Sequence, residues 1–159
     1  MTVEGTSNLH DWDLTVEDMN GSLDLVKEGN SLKTIDKLHL TIPAESLKSG
    51  KRGMDKNTFK ALDTDDHETI SYHLKTVKNV NGKGGGSYTI STTGDLSLAG
   101  ETRSIAITFD AKMDSGKLTL SGSQEIDMTD YKIDPPTALF GTITTGKEVT
   151  IIFRTTFTQ

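Results

Sequence analysis

Histidine and carboxylate residues carry the most distinctive chemistry in this sequence, and their spacing argues against a metal site. The four histidines are His10, His39, His67 and His73. A helix or strand presents metal ligands at a characteristic spacing, and no two of these histidines have that spacing together with a carboxylate. We therefore expect no zinc site. His39 and His73 alternate with Lys and Thr, which indicates a solvated face. The acidic run LDTDDHET (62–69) lacks the glycine and the distal glutamate of a calcium loop and indicates a charged linker.

Catalytic motifs are equally hard to find. No G-x-S-x-G elbow is present. The glycine-rich KGGGSY is followed neither by Lys-Ser/Thr nor by a helix, so it is no phosphate cradle. Asp11 and Asp13 flank Trp12, and strand alternation places both on the outer face, opposite the indole. A Ser-His-acid set stays open, although no motif favours one. We assign no catalytic residue, no metal and no cofactor.

Length and charge limit the functional classes. The 159 residues are enough for one domain with its own core, and we expect a single domain over 1–159. The net charge is −6, with both signs scattered along the chain and no basic run, so nucleic acid is not an expected partner. There is no cysteine, which excludes disulfides and thiolate metal sites without fixing the compartment.

The cellular location stays open at this point. No stretch is long and apolar enough to span a membrane. The first residues, MTVEGTSNLHDW, have neither a positive head nor an apolar core, so we expect no signal peptide. The protein is therefore either cytosolic or a mature or recombinant form of a periplasmic or secreted protein.

Eight runs of the sequence alternate apolar and polar residues with period two and are separated by turn residues. Such a set predicts an all-β protein, an antiparallel sandwich or barrel. The apolar positions of the eight runs are Trp12, Leu14 and Val16; Leu23 and Leu25; Leu38, Leu40 and Ile42; Ile70, Tyr72 and Leu74; Tyr88, Ile90, Leu96 and Leu98; Ile105, Ile107, Phe109, Ala111 and Met113; Leu118, Leu120, Ile126 and Met128; and Val149, Ile151, Phe153 and Phe157.

Two stretches interrupt the alternation. GMDKNTFKALDT places Met54, Phe59 and Leu62 at helical spacing, with Asp55 in the first turn, and predicts one short helix over 55–62 that could plug an end of the sheet. NVNGKGGGSY predicts a flexible hairpin tip.

The inner face has gaps that favour a cavity over a filled core. Small or polar residues occupy inward positions at Thr92, Gly94, Gly122 and Gln124. An eight-stranded barrel can be solid or can hold one ligand, and such positions leave room for one.

The segment MTDYKIDPPTALFGTITTG (128–146) lies between the last two predicted strands and is too long for a tight hairpin. Pro135 and Pro136 stiffen it and remove two hydrogen-bond donors. Its apolar residues Ile133, Leu139 and Phe140 either form a lid or mouth at one end of the barrel or seal the bottom of the core, and both alternatives stay open.

Five segments in order, EGTSNLHDW, LHLTIPAESLKSG, GMDKNTFKAL, GDLSLAGETRSI and IDMTDYKIDPPTALFGTITTGKEVTIIF, resemble the YceI-like family over nearly the whole chain. The resemblance implies an eight-stranded antiparallel lipocalin-like barrel with one short helix, in a family of mostly exported bacterial proteins. Some members bind polyisoprenoids or fatty amides in an apolar tunnel. His10 and Arg103 match motif positions, and we expect Arg103 to form a surface or turn-bracing ion pair. DHETI (66–70) departs from the Pro-Ile pair frequent in the family.

The resemblance and the alternation together predict a lining for the binding site. We expect ligand contacts at Trp12, Leu14, Leu74, Ile90, Leu96, Ile107, Phe109, Leu120, Ile126, Phe140, Ile151 and Phe153.

Three functions remain, in decreasing order of support from the sequence. The first is a non-enzymatic carrier or sequestering protein for a long-chain lipid or isoprenoid. The second is a structural or interaction module with a solid barrel core. The third is a lipid-acting enzyme that uses His10. A strand face rich in Thr and Ser is compatible with a homodimer and equally with ordinary solvation.

Overall fold

The computed structural model describes residues 1–158 and shows an all-β chain wound into one antiparallel sheet. Over these residues there are eleven strands, one α-helix and two 3-10 turns. The strands are β1 (Thr2–Ser7), β2 (Trp12–Val16), β3 (Asn20–Glu28), β4 (Ser31–Pro43), β5 (Leu47–Lys48), β6 (Thr69–Gly84), β7 (Ser87–Leu98), β8 (Glu101–Asp114), β9 (Lys117–Asp127), β10 (Thr137–Ala138) and β11 (Ile143–Thr158).

Neighbours along the chain are mostly neighbours in the sheet. The order is β3-β4-β6-β7-β8-β9-β11-β1-β2-β5, and β10 pairs with β11 outside this path. Long hairpins such as β6–β7 form because glycine permits the tight tip. Gly86 has a φ of 76°, and a Cβ there would stand 2.6 Å from the carbonyl oxygen of Met113.

The sheet curls on itself as an open half-barrel. Its end strands, β3 and β5, do not pair with each other in the part of the chain described. The connection from β2 to β3 is held to the turn before β5: Glu17 N–H donates to the Ser46 carbonyl (3.0 Å), and the Ser46 hydroxyl donates to the Asp18 carbonyl (3.1 Å). The curl also brings β11 against β3. A Cβ on Gly21 would lie only 3.2 Å from the Phe157 ring.

The predicted all-β class, antiparallel pairing and single short helix are confirmed, whereas the predicted eight strands become eleven. One extra strand appears because the first predicted run folds into the β1–β2 hairpin. The Ser7 hydroxyl accepts from the backbone N–H groups of Leu9 and His10 and turns the chain there. β5 and β10 have two residues each, too short to leave an alternating pattern in the sequence.

Helix α1 (Arg52–Leu62) begins three residues before the predicted start. Lys51 is its N-cap residue, and the helix ends at Asp63, which has a left-handed backbone. The 3-10 turns are Ala44–Ser46 and Met128–Tyr131. Within residues 1–158, no helix has both the length and the apolar character needed to cross a membrane.

One end of the curled sheet is filled by side chains. This packed end lies towards the β3–β4, β6–β7 and β8–β9 hairpin tips and contains Leu32, Ile35, Ile90, Ala111 and Leu118, all nearly inaccessible to solvent. The Tyr88 hydroxyl lies across this end and accepts a hydrogen bond from the Leu32 N–H (3.0 Å). We expect this end to supply much of the stability, because large buried side chains leave water completely there.

Truncating Ile90 tests that expectation. Its side chain is 0% exposed, so Ile90→Ala removes buried methylenes and opens a void, and we expect a loss of about 2–4 kcal/mol in the free energy of unfolding. The matched control is Ile152→Ala on the outer face, where the side chain is 39% exposed and the loss is expected to be smaller. Equal losses in urea unfolding of the two variants would contradict the assignment of a packed end.

Candidate functional site

The other end of the half-barrel is hollow. A cavity of about 690 Å³ lies between the inner sheet face and α1, a size typical of small-molecule pockets. Nine of the twelve residues predicted to contact ligand line it. They are Trp12, Leu14, Leu96, Ile107, Phe109, Leu120, Ile126, Ile151 and Phe153. Their contact with a ligand stays a prediction, but the structure brings them together around one space.

Leu74, Ile90 and Phe140 are not part of the lining, so the structure does not bring these three predicted residues to the cavity with the other nine. Ile90 faces inward as alternation requires, but it lies in the packed end. Leu74 is half-buried and packs against the core without lining the cavity. Phe140 points into solvent.

Sequence reasoning missed several residues of the lining. Helix α1 contributes Met54, Ala61 and Leu62, and β6 contributes Tyr72. The helical spacing of α1 was recognisable, and Tyr72 shares the parity of Ile70, so both signals were present in the sequence. What alternation could not show is which inward residues border empty space, because that depends on how the sheet curls.

Three aromatic rings in the wall of the cavity each lie against a glycine on a neighbouring strand. Trp12 covers Gly5 and donates from its indole N–H to the Thr6 carbonyl (3.0 Å). Tyr72 covers Gly94, and neither glycine has room for a Cβ. Rings held against the wall leave the interior unfilled.

Phe153 completes this set, with its ring tip 2.9 Å from where a Cβ on Gly122 would lie. The predicted gaps at Gly94 and Gly122 therefore do not expose backbone to a ligand, since Tyr72 and Phe153 occupy them. Of the other two gap positions, Gln124 lines the cavity. Thr92 is buried, and its hydroxyl donates to the Ile107 carbonyl (3.0 Å).

The cavity opens at the helix end of the half-barrel, where its exposed lining residues are concentrated. We call this opening the mouth. It is bordered by Ser7 and His10 at the β1–β2 loop, by residues 136–138, and at the start of α1 by Lys51, Gly53, Met54, Lys56 and Asn57. The polar side chains of the lining are concentrated at the mouth, whereas the interior is almost entirely apolar. A molecule with an apolar body and a polar end matches this distribution.

The segment after β9 is fastened to its neighbours and closes part of the hollow end. Lys132 pairs with Glu101, and the Arg103 Nε–H donates to the Asp130 carbonyl (2.8 Å). Arg103 thus braces a turn, but through a hydrogen bond to a backbone carbonyl and not through the expected ion pair. These contacts hold Ile133 in place, 2% exposed, against the cavity.

The apolar tip of the same segment faces water. Leu139 is 66% exposed and Phe140 is fully exposed. Both have positive φ angles (49° and 56°), which are uncommon for such side chains. The lid and the seal hypotheses are therefore both wrong for Leu139 and Phe140, and Ile133 alone of the three covers the cavity.

Asp127 joins β9 to β11 at this end. Its carboxylate accepts from the Lys147 ammonium (2.7 Å) and from the Thr129 hydroxyl (2.6 Å) and N–H (2.9 Å). The hydrogen bond from Lys147, followed by those from Thr129, lowers the pKa of Asp127 to about 2. The same contact raises the pKa of Lys147. Inside the cavity, burial raises the pKa of Tyr72.

The histidines show no metal centre. Over residues 1–158, no three His, Cys, Asp or Glu side chains are grouped so that they could hold a metal ion. The register of β4 with β6 does pair His39 with His73, whose rings lie 3.9 Å apart, which sequence spacing did not reveal. Neither residue lines the cavity.

Comparisons with known proteins agree with this architecture. A family model described as YceI-like domain matches residues 2–157. No protein of curated function matches the chain by sequence.

Solved structures with low sequence identity share the fold. Burkholderia cenocepacia BcnA is 13% identical with a TM-score of 0.75, covering 99% of this chain and 96% of its own. A polyisoprenoid binding domain from Saccharophagus degradans implicated in plant cell wall breakdown is 12% identical with a TM-score of 0.75, covering 99% and 91%. The Campylobacter jejuni YCEI protein is 14% identical with a TM-score of 0.71, covering 92% and 84%.

Two substitutions in the segment after β9 compare the effect on stability of its buried residue, Ile133, with that of its exposed residue, Phe140. Phe140→Ala is expected to change the free energy of unfolding by less than about 0.5 kcal/mol, since the ring touches mainly solvent. Ile133→Ala removes a buried side chain and is expected to cost about 2–4 kcal/mol. Thermal and urea unfolding measure both, and a large loss in the Phe140 variant would show that this ring packs against the protein.

The Asp127 contact predicts a pH-dependent stability. The folded pKa of about 2 lies below the unfolded value of about 3.9, so ionised Asp127 stabilises the fold at neutral pH, and this contribution is lost as the pH falls from about 4 towards 2. We expect Asp127→Asn to have a lower melting temperature than the wild type at pH 7. The difference should shrink through that window, and a constant difference down to pH 2 would rule out ionisation as its cause.

Proposed function

The chain belongs to the YceI-like family, and from that premise we propose that it binds a long-chain amphiphile of the isoprenoid, fatty acid or fatty amide type. The observation that carries the proposal is the cavity of about 690 Å³, which is apolar within and polar at its mouth. The tail would lie among Ile107, Leu120 and Phe153 with the head at the mouth.

The energetics suit a chain-shaped ligand of loosely defined length. Each methylene moved from water to an apolar interior gains about 0.8 kcal/mol without any directional bond. A wall of aliphatic and aromatic side chains discriminates poorly between chains that differ by one methylene. The Saccharophagus degradans domain of the same fold is described as polyisoprenoid binding, which supports an isoprenoid chain among the candidates.

The proposal is for a carrier or sequestering role without catalysis. Ser7 and His10 border the mouth together, but the Ser7 hydroxyl donates to the backbone carbonyl of His10 (2.7 Å). The His10 ring nitrogen Nδ1 lies 2.8 Å from the Asp11 carbonyl. Both groups are thus engaged with backbone and do not form the nucleophile–base pair that acyl transfer requires. A periplasmic or secreted location is part of the proposal and has its support in the family resemblance.

The alternative of an interaction module with a solid core has less support. The packed end is solid, but the hollow end leaves room that a purely structural barrel does not need.

Native mass spectrometry of freshly purified protein, followed by organic extraction, tests the proposal. We expect a stoichiometric long-chain lipid, or uptake of an isoprenoid alcohol or fatty amide on titration. A mass of the protein alone together with no uptake would move the function to the outer surface.

A matched pair of variants on β8 tests whether the cavity is the binding site. Ile107 lines the cavity and its neighbour Ala106 lies exposed on the outer face. Ile107→Trp fills the space of about two methylenes, worth about 1.6 kcal/mol, so the dissociation constant is expected to rise more than tenfold. Ala106→Trp should leave binding unchanged. Equal binding by both variants would place the ligand elsewhere.

A further inference from the structure

The charged side chains that border the cavity are of one sign. The chain has 23 acidic and 17 basic residues, yet the described lining includes Lys51 and Lys56 and no Asp or Glu. The surrounding stretch, residues 48–60, carries five basic side chains and one acidic one. The mouth is thus locally positive in a protein that is negative as a whole.

Both mouth lysines are available to a ligand. Neither ammonium group forms an ion pair or hydrogen bond with any residue from 1 to 158. By contrast, Lys75 pairs with Asp95 at 2.8 Å and Lys147 with Asp127 at 2.7 Å.

The one acid of this stretch is already engaged. Asp55 accepts from the Ser49 N–H (2.7 Å) and the Ser49 hydroxyl (2.6 Å), and these bonds lower its pKa. Asp55 does not line the cavity, and it forms no ion pair with Lys51 or Lys56 in the described chain. The positive charge at the mouth is therefore not cancelled by an ion pair from within the helix.

We propose that the amphiphile held by this cavity has an anionic head, a carboxylate or a phosphate monoester, which Lys51 and Lys56 bind at the mouth. This inference rests on the proposed function and narrows its ligand class. The interior offers no charged group, so a charged head must stay at the mouth while the tail fills the apolar part. Lysine presents a compact point charge with three donors, which suits either kind of anion.

Four probes with one saturated chain and different heads test the inference. Palmitate and hexadecyl phosphate are anionic, whereas hexadecanol and palmitamide are neutral. Trp12, the sole tryptophan, lines the cavity, so its fluorescence reports binding of each probe without a label. We expect at least one anion to bind more tightly than both neutral probes, with an advantage that shrinks as salt is added.

The double variant Lys51→Gln, Lys56→Gln should remove that advantage. Each exposed ion pair contributes about two- to fivefold in affinity, so we expect the anions to bind roughly 4- to 25-fold more weakly and the neutral probes to bind as before. The control is Lys33→Gln, Lys78→Gln, which changes the net charge equally at two exposed residues that lie outside 48–60 and do not line the cavity. This control should leave all four affinities unchanged.

The outcomes separate the inference from the function on which it rests. Preference for palmitate or for hexadecyl phosphate supports the inference and identifies the source of the anion as a fatty acid or a lipid phosphate. Equal affinity for all four probes, or equal weakening by the two double variants, overturns the inference and leaves amphiphile binding intact. Failure of every probe to bind the unmodified protein overturns both.

Discussion

The structure depends on one constraint, the burial of a single apolar face by a sheet that curls over it. Strand alternation sends every second side chain inward, and the curl must remove those side chains from water. At the hairpin end the inward residues fill the interior completely. At the helix end they do not, and there the rings of Trp12, Tyr72 and Phe153 lie against glycines of neighbouring strands. The same face that stabilises the fold therefore leaves a cavity with an apolar wall.

Keeping a cavity open has an energetic cost, and the surrounding segments show how the structure meets it. Unfilled apolar space forgoes packing contacts and destabilises a protein in proportion to its volume. The packed end around Ile90 supplies stability apart from the cavity. The segment after β9 is fastened by Asp127, Arg103 and Lys132, so that Ile133 closes part of the hollow end. The fully packed side chains and the cavity thus lie at opposite ends of one sheet.

The polarity of the mouth follows from its position at the end of the sheet. Where strands end, the chain turns through loops and a short helix that face water, and their side chains need not be apolar. Helix α1 uses both kinds of side chain: Met54 and Ala61 extend the apolar wall, whereas Lys51 and Lys56 border the opening. The exposed tip at Leu139 and Phe140 lies beyond this border and contributes nothing to the wall.

The sequence by itself determined the all-β class, the antiparallel pairing, the inward parity of residues such as Leu96 and Ile107, and the presence of one short helix. These are local properties, because side-chain alternation and helical spacing are set by neighbours along the chain. Only the tertiary structure decided that Ile90 is packed while Ile107 faces empty space, that Tyr72 covers Gly94, and that Phe140 points outward. Those outcomes depend on the curl and register of distant strands, which no short window of sequence contains.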